Sequence, residues 1–134
     1  MSSQAIRFAG YAALFNIADA DRDTIRPGAF ANSLAMKGTP LPLLWQHRPD
    51  QPIGTVEHVS EDARGLRVIA RVDKPDCRAA TLLSNGKVTG LSFGYRARNA
   101  RHSDAGRELL DIDLFEVSLV SHPLQHGSRV HFMV

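Results

Sequence analysis

A chain of 134 residues with 43% hydrophobic and 22% charged residues has the balance of one soluble globular domain, long enough to bury a core without staples. A formal net charge of +2 gives no strong pull toward nucleic acid, and the single cysteine, Cys77, excludes an intrachain disulfide framework and suits a reducing compartment. No apolar run approaches the roughly 18 residues of a membrane span, and Met1-Ser2-Ser3-Gln4 is not expected to open a signal peptide.

Period-two alternation predicts a first strand over residues 6–15. Residues 16–26 read as a loop; Asp19, Asp21 and Asp23 superficially resemble a calcium loop, but the glycine and closing glutamate of an EF-hand are missing. Pro27-Gly28 marks a turn, and residues 29–37 have the small and apolar residues of a short helix closed by Gly38. Residues 41–47 read as a short buried strand, with Pro40 and Pro42 confining its start to an edge. Two further strands are expected at 53–59 and 66–72, then a helix at 76–83 stopped by Asn85-Gly86. Strands at 88–98 and 109–120 follow, joined by the polar segment 99–107, and residues 121–134 read as an irregular tail. The sum is an all-β domain over 1–134, with six or seven strands, two short helices and the regular strand spacing of a closed barrel or sandwich.

Within Gly90-Leu91-Ser92-Phe93-Gly94-Tyr95, strand parity puts Leu91, Phe93 and Tyr95 on one face and Gly90, Ser92 and Gly94 on the other. A serine between two bare positions has room for a substrate chain beside its hydroxyl, which makes Gly90 and Gly94 candidate substrate-binding positions. From the pattern alone, a serine beside bulge glycines in a curved barrel strand is the favoured explanation. The G-x-S-x-G spacing also matches a nucleophile elbow, but that motif needs a strand–turn–helix context and this segment continues as a strand.

A serine hydroxyl needs a base within hydrogen-bond reach. Of six histidines, His47 ends the apolar run Leu43-Leu44-Trp45-Gln46, where a strand end can aim an imidazole while leaving it open. His58 suits a surface role, His102 a loop, and His122, His126 and His131 fall in the tail. On the apolar stripe of Leu110, Ile112 and Leu114, Glu116 is a carboxylate that needs a partner. The ring of His47 could serve, or an arginine such as Arg7 or Arg71.

The remaining chemistry is sparse. His122 and His126 have the i, i+4 spacing of a metal pair, but Pro123 and Gly127 oppose a helix, so no metal site and no cofactor are expected. Arg96, Arg98 and Arg101 alternate like the wet face of a strand and run into Asp104 and Glu108, which disfavours nucleic acid as a partner.

Taken in order, several segments resemble the prohead maturation protease family of tailed bacteriophages. They are Phe8-Ala9-Gly10-Tyr11-Ala12 with Phe15, Ile25-Arg26-Pro27-Gly28-Ala29-Phe30 with Ser33-Leu34, Pro42-Leu43-Leu44-Trp45-Gln46-His47, and Pro52-Ile53-Gly54. Gly65-Leu66, Gly90-Leu91-Ser92-Phe93-Gly94-Tyr95, and Glu116-Val117-Ser118-Leu119-Val120 with Pro123 complete the set. The compact chain is also reminiscent of versions carried by gene transfer agents. The resemblance implies a mostly antiparallel closed β-barrel similar to herpesvirus assemblin. It carries the nucleophile onto Ser92, the base onto His47 and the third member onto Glu116, with His122 in reserve. Where assemblins hold the oxyanion near paired arginines, this chain has Ser121-His122-Pro123 and no arginine pair.

The activity so implied is a serine endopeptidase acting through an acyl-enzyme. Its substrates would be scaffold segments, or the N-terminal extension of the major capsid protein, inside a shell assembling in the host bacterial cytoplasm. Partners would then be the major capsid protein and its scaffold segment, with a homodimer as a further association and no membrane. The alternative is a catalytically inactive protease-like barrel that serves capsid assembly or binds scaffold.

Overall fold

In the computed structural model, which describes residues 5–36 and 40–133, the alternating segments become strands of one curled sheet. The strands are β1 (Ile6–Leu14), β2 (Asp23–Ile25), β3 (Leu41–Trp45), β4 (Arg48–Glu61), β5 (Gly65–Val72), β6 (Gly90–Ser103), β7 (Gly106–Val120) and β8 (Val130–Met133). Two short helices accompany them, α1 (Ala31–Met36) and α2 (Arg78–Ser84). The sheet runs β2-β7-β3-β4-β5-β1-β8, and β6 pairs with β7 along its other edge. Its inner face buries Phe8, Leu43, Val56, Leu66, Val68, Leu91, Leu114, Val117 and Leu119, the apolar half of each alternating pattern.

The β-rich character with two short helices agrees with the sequence; the closed antiparallel barrel does not. Both β2 and β3 run parallel to β7, so the sheet is mixed. The intervening chain between β3 and β7 supplies the long crossover that a parallel pair requires. The sheet is also open. Residues 128–130 stitch β6 to β1 only locally, through the isolated bridge Gly90–Arg129 and the bond from Tyr11 N–H to Arg129 O at 3.2 Å.

Two strands lie where none was expected. β2 falls in the aspartate-rich loop, where Asp19 Oδ1 accepts the N–H groups of Asp21 and Asp23 and so folds the turn that delivers β2 to β7. β8 falls in the segment read as an irregular tail and pairs with β1. Buried Gln125 fixes that tail, accepting from Leu14 N–H at 2.7 Å and donating to Leu14 O at 2.9 Å. Each strand is short and defined by the ladder it joins, so alternation could not reveal it. The β6–β7 ladder also continues to Ser103–Gly106, through most of the segment expected to be a loop.

The start of β3 is an edge, as the prolines implied: Leu41 and Pro42 pair with β4 alone, and the ladder with β7 begins at Leu43, from which point β3 lies between β7 and β4. Both helices occur near their expected places, though Lys37 and Gly38 lie outside the described residues. The Glu61 carboxylate accepts the N–H groups of Gly28 and Phe30, both at 2.8 Å, and anchors the turn into α1. Cys77 caps α2, its Sγ accepting from Ala80 N–H, and Gly86 at φ 76° ends it.

Candidate active site

The β6–β7 hairpin carries most of the site. Along it, Gly90 faces Val120, Ser92 faces Ser118, and Gly94 faces Glu116. Directly opposite residues share a face, so Ser92, Gly94, Glu116 and Ser118 all stand on the side turned away from Leu91, Val117 and Leu119.

A bulge makes this possible. The register passes from Gly94–Glu116 to Tyr95–Leu114, leaving Phe115 unopposed. Leu114 therefore joins Tyr95 on the inner face, while Glu116 joins Gly94 on the outer one. Glu116 is not on the stripe of Ile112 and Leu114, contrary to simple alternation. Ser33 on α1 secures the irregular stretch by accepting the N–H of Leu114 at 2.9 Å.

His47 arrives from the opposite edge of β7. Trp45 pairs with Arg48, so Gln46 and His47 form a two-residue hairpin loop, and both have positive φ, 52° and 60°. That is the signature of a type I′ turn, normally built from Asn-Gly, and it strains two residues that both carry Cβ atoms. The surroundings hold it in place. Gln46 N–H donates to Leu119 O at 3.0 Å, extending the β3–β7 ladder. The Gln46 side chain then clasps Ser121, donating to its Oγ at 2.6 Å and accepting its N–H at 3.1 Å.

The turn folds the His47 ring back over β7. Its Nδ1 meets Glu116 Oε1 at 2.6 Å, and the other carboxylate oxygen accepts from Ser118 Oγ at 2.6 Å. Ser118 Oγ in turn accepts the backbone N–H of His47 at 3.1 Å. A carboxylate at Nδ1 selects the tautomer with its proton there and leaves Nε2 as the acceptor nitrogen. The Glu116 side chain is 12% exposed and the His47 ring 42%, so a buried acid holds an accessible imidazole.

Of the alternatives left open by the sequence, the partner of Glu116 is His47. Arg7 pairs instead with Glu57, and Arg71 with Glu57 and Asp73. His122 is exposed, just past the end of β7, while the His47 Nδ1 position is taken by Glu116. Ser92 is partly exposed on β6, across the ladder from the serine that binds the His47 backbone. No hydrogen bond joins Ser92 to His47 among the described residues, but both flank Ser118 on one face.

The two glycines do not leave bare space. A Cβ on Gly94 would lie 2.3 Å from Glu116 Oε1, and one on Gly90 would lie 2.7 Å from the ring of Pro123. Glu116 and Pro123 thus take up the space that a side chain at either position would need. Sequence alone did not single out Ser118, Gln46 or Ser121: Ser118 is a small residue within an apolar strand, and the Gln46–Ser121 pair spans 75 residues. No group of three or more histidine, cysteine or acidic residues among the described residues could hold a metal ion.

A family model for caudovirus prohead serine proteases matches residues 1–134. The chain belongs to this family. It is 32% identical over 133 residues to the prohead protease of Enterobacteria phage HK97, an alignment covering 94% of this chain and 59% of that relative. A second family relationship runs to the capsid polyprotein of Pseudomonas phage PAJU2, 32% identical over 95 residues, 63% of this chain and 14% of the polyprotein. The chain thus spans little more than half of one curated relative and a small part of the other.

Solved structures show that this chain shares the fold of herpesvirus proteases. The varicella-zoster virus protease superposes with a TM-score of 0.65 at 19% identity, over 96% of this chain and 64% of that one. The KSHV protease in complex with a hexapeptide phosphonate inhibitor gives a TM-score of 0.67 at 15% identity, over 98% and 64%.

Proposed function

We propose that the chain is a serine endopeptidase with Ser92 as nucleophile, His47 as general base and Glu116 as the group that orients and charges against the imidazole. The observation that carries this reading is the 2.6 Å contact between His47 Nδ1 and Glu116 on the face that also bears Ser92. Membership of the prohead serine protease family supports it.

In this mechanism His47 Nε2 takes the Ser92 proton as the oxygen attacks a peptide carbonyl. The imidazolium that forms is stabilised by the Glu116 carboxylate at Nδ1. His47 then returns the proton to the leaving amine, and water, activated by the same ring, resolves the acyl-enzyme. The substrates are scaffold segments or the N-terminal extension of the major capsid protein, cut inside the assembling shell in the host cytoplasm. The capsid polyprotein among its relatives supports a capsid protein as partner. No helix among the described residues is long and apolar enough to cross a membrane.

Co-expression with the major capsid protein tests this function. The unaltered chain should shorten the capsid protein or its scaffold at a discrete site, and Ser92→Ala should leave it intact while still folding. Undiminished cleavage by Ser92→Ala would refute the assignment. Binding of capsid protein without cleavage by the unaltered chain would favour the assembly-module alternative.

A further inference from the structure

Ser118 is fully buried, yet its hydroxyl is the hub of the site. It donates to Glu116 Oε2 at 2.6 Å and accepts the His47 N–H at 3.1 Å, while Glu116 Oε1 holds the His47 ring. The bonds close a loop: His47 backbone to Ser118, Ser118 to Glu116, Glu116 to the His47 ring. Without the hydroxyl, one carboxylate oxygen and one backbone N–H would lose their partners together. The His47 turn has positive φ at both residues, so its backbone depends on such external bonds.

We infer that Ser118 is a positioning residue that fixes both the carboxylate of Glu116 and the backbone of His47, and so sets the aim of the imidazole at Ser92. The inference rests on the proposed roles of Ser92, His47 and Glu116 and adds a fourth residue to them. The position is closed to a larger catalytic role, since Ser118 is sealed from solvent and its donor is spent on Glu116. Its effect passes through His47. A displacement of about 1 Å in such a group can lower turnover by about a hundredfold.

The test uses Ser118→Ala and Ser118→Thr in the full chain, with thermal stability, kcat and KM on a capsid-derived peptide, and the proton resonance of His47 Nδ1–H. Ser118→Ala should remain folded and keep its KM, with kcat reduced by about a hundredfold. Its Nδ1 proton should move from the far-downfield position of a histidine–carboxylate bond and exchange faster with water. Ser118→Thr keeps the hydroxyl and should recover most of the lost turnover and the original resonance. If the added methyl prevents folding, the resonance in Ser118→Ala decides. An unchanged resonance in Ser118→Ala, with kcat either unaltered or reduced only as far as the folded fraction, would overturn the inference. If the unaltered chain cuts nothing, the nucleophile assignment fails, while the resonance still reports whether Ser118 positions His47.

Discussion

The carboxylate of Glu116 occupies the space that any side chain on Gly94 would need: a Cβ there would sit 2.3 Å from Oε1 and 2.8 Å from both Cδ and Cγ. Gly94 lies directly across the ladder from Glu116, and its φ is outside the left-handed region. The glycine is required for what lies above it rather than for its own backbone freedom.

Gly94→Ala should therefore damage activity more than stability. The added methyl pushes Glu116 off His47, and kcat should fall by about a hundredfold, as for other small misplacements of catalytic groups. Unfolding in urea should shift only modestly, since the backbone conformation suits alanine. The pair of measurements separates site displacement from a general loss of fold.

Glu116→Gln keeps the shape of the side chain but removes the charge that stabilises an imidazolium, and it lets the amide turn an N–H toward Nδ1. Turnover should fall by about 10⁴-fold, the scale seen when the acid of a serine protease triad is replaced by its amide. Ser92→Ala should lose more, on the order of a millionfold. Steady-state kinetics on one peptide would establish the order.

How much of this was legible in the sequence can be read along β7. Alternation found the strand and singled out Glu116 as a carboxylate in need of a partner, but it put Glu116 on the face of Leu114. The bulge at Phe115 reverses that assignment, and no residue type announces a bulge there. Ser118 looked like a small residue in an apolar strand because its importance lies in two bonds to groups far apart in sequence. The His47 turn was equally hidden, since Gln-His lacks the Asn-Gly signal of a type I′ hairpin. Ser92 and His47 were proposed chiefly through the ordered family resemblance; strand parity alone favoured bulge glycines over a nucleophile. β8 was missed because its alternation is weak and the β1 edge defines it.

Gln46→Ala tests the clasp on the strained turn. Alanine at this φ is no more relaxed than glutamine, so the change isolates the two bonds to Ser121. Both groups reach solvent, and the variant should lose about 1 kcal/mol of stability. Turnover should fall by more than that loss explains, because the turn that aims His47 is loosened. Denaturant unfolding alongside kcat measures the two effects.

Gln125→Ala tests whether the tail is an integral part of the fold. The substitution strips partners from Leu14 N–H and from the carbonyls of Leu14 and Ile17. Leaving buried groups unpaired should cost about 2–4 kcal/mol, measured by urea unfolding. A disordered tail would instead give a change within about 0.5 kcal/mol.

The most direct test of the central claim is mass spectrometry of the chain after exposure to a serine-directed phosphonate. The proposed site predicts one adduct, on Ser92, absent from Ser92→Ala and formed far more slowly by folded His47→Ala. No adduct on Ser92, or equal labelling in His47→Ala, would contradict the assignment of nucleophile and base.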